Sequence, residues 1–166
     1  MKLIIWTFLT AYILIMACNS NNQKNENQDV KDKLVGTWQL ISYSDYDSVK
    51  HIWTNPYGLH PRGYFTYTKS GIVNLNISSE EPLKVSADSA KTKSMTVDEF
   101  LNTSCGYFGP YTILKEKSTV IHHPKGGSIP WYIGTDQYRQ FVIKKDTLYI
   151  GDPTFEIGKR VLVKVD

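Results

Sequence analysis

Residues 62–77 read RGYFTYTKSGIVNLNI. Two runs of aromatic and β-branched residues, 62–68 and 72–77, flank Lys69-Ser70-Gly71. A short link carrying Gly between two such runs reads as a β-hairpin. The same pattern recurs outward along the chain. Residues 107–115 and 118–123 flank Glu116-Lys117, and residues 137–144 and 147–150 flank Lys145-Asp146. Residues 35–46 (VGTWQLISYSDY) open the series, with Trp38, Leu40 and Ser42 alternating against Gln39, Ile41 and Tyr43. Residues 160–165 (RVLVKV) close it. The sum is about eight strands, joined mostly by short turns in sequential order, which predicts an all-β fold. The expected architecture is an eight-stranded up-and-down antiparallel barrel, because closure removes exposed sheet edges. One segment breaks the pattern. Residues 95–104 (MTVDEFLNTS) predict one short helix, with Thr96 as N-cap, Glu99 completing a capping box, and Phe100 and Leu101 as its apolar face. The polar stretch 78–93 before it reads as a long loop, of the kind that forms a lid or a cavity mouth.

The chain has 166 residues, enough for one domain, and its 41% hydrophobic and 13% aromatic content suffices for a packed core. Net charge is +3; removing residues 1–17 removes only Lys2, leaving 18 basic against 16 acidic residues. With no Lys/Arg cluster, nucleic acid is excluded as an expected partner. Met1 to Cys18 begins with Lys2 and runs apolar from Leu3 to Met16. That run, at about fourteen residues, is short for a membrane span and suits a signal-peptide core. Its end, Ile15-Met16-Ala17-Cys18, resembles the lipobox of bacterial lipoproteins. The resemblance implies cleavage before Cys18 and lipidation of its sulfur and new amino terminus. An uncleaved anchor and an ordinary secretory signal are the alternatives. Asn19 to Lys33 holds Val30 as its one apolar residue and reads as a flexible spacer. The expected organisation is therefore a signal peptide over 1–17, lipidated Cys18 with a tether over 18–33, and the barrel over 34–166. The expected location is extracytoplasmic, lipid-anchored to a membrane of the bacterial cell envelope. Cys105 then lacks an intramolecular partner and is expected as a buried free thiol.

Gly36-Thr37-Trp38 resembles the G-x-W signature of lipocalins and related calycin barrels. In those folds the Trp closes the barrel floor against a basic residue of the last strand. Arg160 or Lys164 is available; Arg160 is taken here as the structural partner of Gly36 and Trp38. Further matches are Pro61-x-Gly63-Tyr64 with Tyr67, Tyr107-x-Gly109-x-Tyr111, Val120-Ile121-His122-His123, and Pro130-Trp131-x-x-Gly134-Thr135-x-Gln137-x-Arg139. Together these resemble the bacterial and fungal lipocalin-like domain family, from about Leu34 to Val165. The resemblance implies a lipocalin-like barrel and leaves the substrate open. Pro124-Lys125-Gly126-Gly127 departs from the family pattern after the histidines.

Strand alternation sorts the candidate site. Arg139, Phe141 and Ile143 share one face, the more apolar one, so Gln137 and Arg139 are expected inside. His122 shares a face with Val120, His123 with Ile121, and His122 is preferred as the inward one. Tyr107 pairs with Tyr111 in facing, and Tyr67 with Phe65. The expected ligand-binding set is Tyr67, Tyr107, Tyr111, His122, Trp131, Gln137 and Arg139. An inward Arg suits a carboxylate or phosphate; it also suits a structural role on loop carbonyls. Four histidines (His51, His60, His122, His123) lack metal-ligand spacing, and neither metal nor cofactor is expected. No phosphate loop or nucleophile elbow is present. The leading functional reading is a monomeric binding module for a small hydrophobic or amphipathic molecule, with an acidic group held by Arg139. The alternatives are an isomerase or cyclase using His122 as base and Tyr111 as acid, with no convincing catalytic set behind it, and a structural envelope lipoprotein with a filled barrel.

Overall fold

The computed structural model describes residues 30–81, 94–114, 118–152 and 155–165. The signal segment, Cys18, the tether up to residue 29, loop residues 82–93 and the Glu116-Lys117 turn lie outside the described residues.

Ten strands follow in order: β1 (Gly36–Asp47), β2 (Ile52–Thr54), β3 (Arg62–Tyr67), β4 (Ile72–Ser78), β5 (Ser104–Leu114), β6 (Thr119–His122), β7 (Gly126–Gly127), β8 (Gln137–Lys144), β9 (Thr147–Gly151) and β10 (Gly158–Lys164). Eight of them form one antiparallel meander, β1-β3-β4-β5-β6-β8-β9-β10, closed by pairing of β10 with β1. The expected up-and-down barrel is present. The very short β2 and β7, which were not anticipated, pair with the end of β1 and with β5. β5 starts at Ser104, three residues before the expected 107.

Period-2 patterning explains the walls. On β4, Val73, Leu75 and Ile77 are buried while Ile72, Asn74 and Asn76 are exposed. Phe65, Tyr67, Tyr107, Tyr111, Val120, Phe141, Leu148, Ile150 and Leu162 fill the interior from the other strands. β1 carries an irregularity: Leu40 pairs with Leu162 and Ser42 with Val161, so Ile41 is an extra, bulged residue.

The two ends differ. The Thr68–Ile72 and Lys144–Thr147 turns lie at one end, where Trp38 is fully buried and its indole N–H donates to the Leu34 carbonyl at 2.8 Å. Residues 30–34 form a helical turn beneath it, with Leu34 fully buried and Val30 packed on the core. Among the described residues, Val30 to Lys33, read from the sequence as the end of the spacer, belong to this turn. The longer connections lie at the other end. They include helix α1 (Val97–Leu101), capped as expected by Thr96 and Glu99, and a 3₁₀ turn (Pro130–Tyr132) that was not expected. On α1 only Leu101 packs against the core; Phe100 is exposed.

Candidate functional site

The half of the barrel nearer the long connections encloses a cavity of about 50 Å³, room for a few waters or a small head group. Its apolar wall is Phe65, Leu75, Ile77, Ile129 and Ile150; its polar wall is Tyr43, Cys105, Tyr107, His122, Tyr132, Arg139 and Arg160.

His122 lies at the end of β6 and faces inward because Val120, two residues earlier, is fully buried on the same face. Both ring nitrogens are engaged. The Tyr67 hydroxyl lies 2.9 Å from Nε2 and the Tyr107 hydroxyl 2.7 Å from Nδ1. A neutral imidazole has one N–H, so one phenol accepts it and the other donates to the bare nitrogen. Burial, reinforced by the Arg139 charge, pushes the His122 pKa down to about 3. Burial likewise pushes the Tyr107 phenol up to about 12, against the opposing pull of Arg139, and raises Tyr67 well above its ordinary value. All three groups are neutral at ordinary pH.

Beside this trio stands a cluster of charges. Arg139 Nη1 pairs with Asp152 Oδ1 at 3.0 Å and donates to the Tyr138 carbonyl at 2.9 Å; its Nη2 donates to Gln137 Oε1 at 3.2 Å. Arg160 Nη2 donates to Asp45 Oδ1 at 2.8 Å and to the Tyr43 hydroxyl, and its guanidinium lies 3.9 Å from the Tyr43 ring centroid. Arg160 Nη1 sits 3.6 Å from Asp152 Oδ2 and is buried without a hydrogen-bond partner. Gly158 lets these groups approach, since a Cβ there would overlap both Arg160 Nη1 and Asp152 Oδ2. Behind the arginines, Tyr43 packs edge-on against Tyr57 at 4.8 Å. The Tyr57 hydroxyl lies 2.9 Å from Cys105 Sγ. Burial raises the pKa of that free thiol, which favours its protonated form.

Of the seven expected ligand contacts, Tyr107, His122 and Arg139 line the cavity. Tyr67 backs it through His122. Gln137 orients Arg139 instead of facing the space. Tyr111 is buried away from the cavity, with its hydroxyl donating to the Thr68 carbonyl at 2.9 Å and its ring edge-on to Tyr67 at 5.2 Å. The proposed His122–Tyr111 acid–base pair is therefore not assembled; Tyr67 and Tyr107 hold the histidine instead. Trp131 is 56% exposed and outside the cavity; its neighbour Tyr132 occupies the wall. Arg160 is not the floor partner of Trp38. Lys164 pairs opposite Trp38 and sets its ammonium 5.2 Å from the indole, while Arg160, four residues earlier, faces Tyr43 in the cavity. His123 points outward, bonded to Asp136 Oδ1 at 2.6 Å and Thr112 Oγ1 at 3.1 Å. Among the described residues, no three His, Cys, Asp or Glu side chains converge as metal ligands.

Asp45, Asp152 and Tyr132 escaped sequence reasoning. The one signal available was Gly151-Asp152, a charged residue directly after an apolar strand.

No curated protein matches the chain. The family model for lipocalin-like domains matches residues 35–159, which spans the barrel from the start of β1 into β10 and includes every cavity residue except Arg160. The chain belongs to the lipocalin-like domain family.

Proposed function

We propose that this barrel binds a small, largely apolar molecule whose single polar end meets Arg139 and Arg160. The observation that carries the reading is Arg160: a buried guanidinium in the cavity wall with one nitrogen that makes no hydrogen bond, the Asp152 carboxylate standing 3.6 Å from it. A buried donor left unpaired costs about 1–3 kcal/mol, and a ligand oxygen relieves that cost. The five apolar wall residues suit the rest of the molecule. Binding, and not catalysis, is favoured by the titration state of the interior. A histidine held neutral down to about pH 3 is a weak base at neutral pH, and a phenol raised to about 12 is a weak acid. The lipobox-like Ile15-Met16-Ala17-Cys18 supports attachment of the protein to a bacterial membrane, outside the cytoplasm, through a lipid on Cys18.

Native mass spectrometry of protein purified gently from its own host tests the binding reading. A bound small mass is expected on the wild type and absent from Arg160→Ala. A folded wild type that never carries such a mass, whatever the extraction, is the outcome that removes the proposal.

A further inference from the structure

The charges around the cavity balance. Among the described residues, the charged groups paired with its two arginines are two carboxylates, Asp152 and Asp45. The cluster is well shielded: side-chain exposure is 14% for Arg139, 11% for Arg160 and 19% for Asp152, with Asp45 at 39%. A ligand carboxylate entering this space would be a third anion against two cations, close to Asp152, in surroundings that screen poorly. An uncompensated buried charge is heavily penalised. Yet the cluster still has a donor to satisfy, because Arg160 Nη1 makes no hydrogen bond and has Asp152 Oδ2 only at 3.6 Å.

These two facts select the head group. Nη1 needs an oxygen acceptor that brings no charge. The carboxylate oxygen nearest Nη1, Asp152 Oδ2, stands 3.6 Å away, beyond hydrogen-bond length, and keeps acceptor capacity of its own. A group that accepts and donates side by side, such as a hydroxyl or a primary amide, matches that donor–acceptor pair. The mechanism differs from an arginine anchor for acids. Arg139 is already occupied by Asp152, so it is not a free anion site.

We infer that the cavity takes a ligand with an uncharged hydroxyl or amide head group and discriminates against the matching carboxylate, with Asp152 as the residue that sets this preference. The inference rests on the binding reading above and specifies its ligand class.

Acetamide and acetate are nearly isosteric, differ in charge and are of head-group size, which makes them suitable probes for a cavity of about 50 Å³. Each is titrated at pH 7.5, followed by NMR chemical shifts, into the purified full chain and into Asp152→Asn, which keeps the side-chain shape and removes one negative charge. Acetamide is expected to bind the wild type at least about tenfold tighter than acetate. In Asp152→Asn the order should reverse or the gap close, since the cluster then has room for one anion. Acetate binding the wild type as tightly as acetamide would overturn the inference and leave the binding reading standing. An equal preference for acetamide in Asp152→Asn would remove Asp152 from the role. Failure of both probes to bind either protein, with the barrel intact by circular dichroism, would count against the binding reading itself.

Discussion

Protonating His122 requires the phenol that donates to its bare ring nitrogen to turn and accept instead, and it places a charge at a fully buried site. Its folded-state pKa of about 3 lies below the ordinary value of 6.5. The unfolded chain therefore binds a proton that the folded chain refuses between those two values. Stability from this residue is complete above about pH 6.5 and is lost progressively as pH falls toward 3, by roughly 5 kcal/mol over the whole window. His122→Phe removes the titration but strands two buried hydroxyls. Urea unfolding at a series of pH values should show the wild type well ahead at pH 7, with its lead shrinking steadily toward pH 3. A lead that stays constant with pH would mean that His122 is not held neutral by the fold. The inward position of this histidine was legible in the sequence, because Val120 and His122 share a strand face and no irregularity intervenes in β6. The role of Arg160 was not. Choosing between Arg160 and Lys164 as the partner of Trp38 requires the register of β10 against β1, and register depends on pairing that spans more than a hundred residues.

At the scale of elements, β1 explains most of what the sequence hid. Plain alternation from Trp38 and Leu40 places Ser42 inside and Tyr43 outside. The bulge at Ile41 counts two residues as one, so Ile41 and Ser42 stay outward and Tyr43 turns in to meet Arg160. Asp45 follows two residues later on the same face. A bulge has no reliable sequence mark in a run such as Leu40-Ile41-Ser42, and both residues were lost to prediction for that reason. The geometry makes a paired forecast. Deleting Ile41 restores an unbroken ladder, Leu40 to Leu162 and Ser42 to Val161, and keeps Tyr43 and Asp45 inward. Deleting Ser44 preserves Tyr43 but turns Asp45 out, stripping Arg160 of its carboxylate. Ile41 deletion should therefore shift the melting temperature by only a few degrees, and Ser44 deletion should lower it by roughly 10 °C or more. Equal damage from the two deletions, read by thermal melts, would show that the bulge does not control which face β1 presents. The hairpins and α1 were legible because their signals are local: turn residues between apolar runs, and a capping box at Thr96 and Glu99. The 3₁₀ turn at Pro130–Tyr132 was not, since a one-turn element carries no periodicity, and the missing turn exchanged Trp131 for Tyr132 in the cavity wall.

For the whole molecule, the two ends of the barrel have separate duties. One end is sealed by Trp38, covered by the 30–34 turn and flanked by Lys164; the Val165 N–H also bonds the Thr37 carbonyl there, at 2.9 Å. The cavity lies toward the opposite end, under the long connections. The described chain thus enters the barrel at its closed end, through the 30–34 turn. Among the described residues, closure by β1 and β10 and the packing of the interior are made by side chains from Val30 onward. Anchoring and folding should then be separable. With Cys18→Ala, the protein should leave the membrane pellet for the soluble or secreted fraction, and the barrel should melt at the wild-type temperature. Release with unchanged melting assigns Cys18 to attachment alone. Retention of Cys18→Ala in the membrane would mean that the apolar 3–16 run is itself the anchor, and that lipid on Cys18 is not what holds the barrel there.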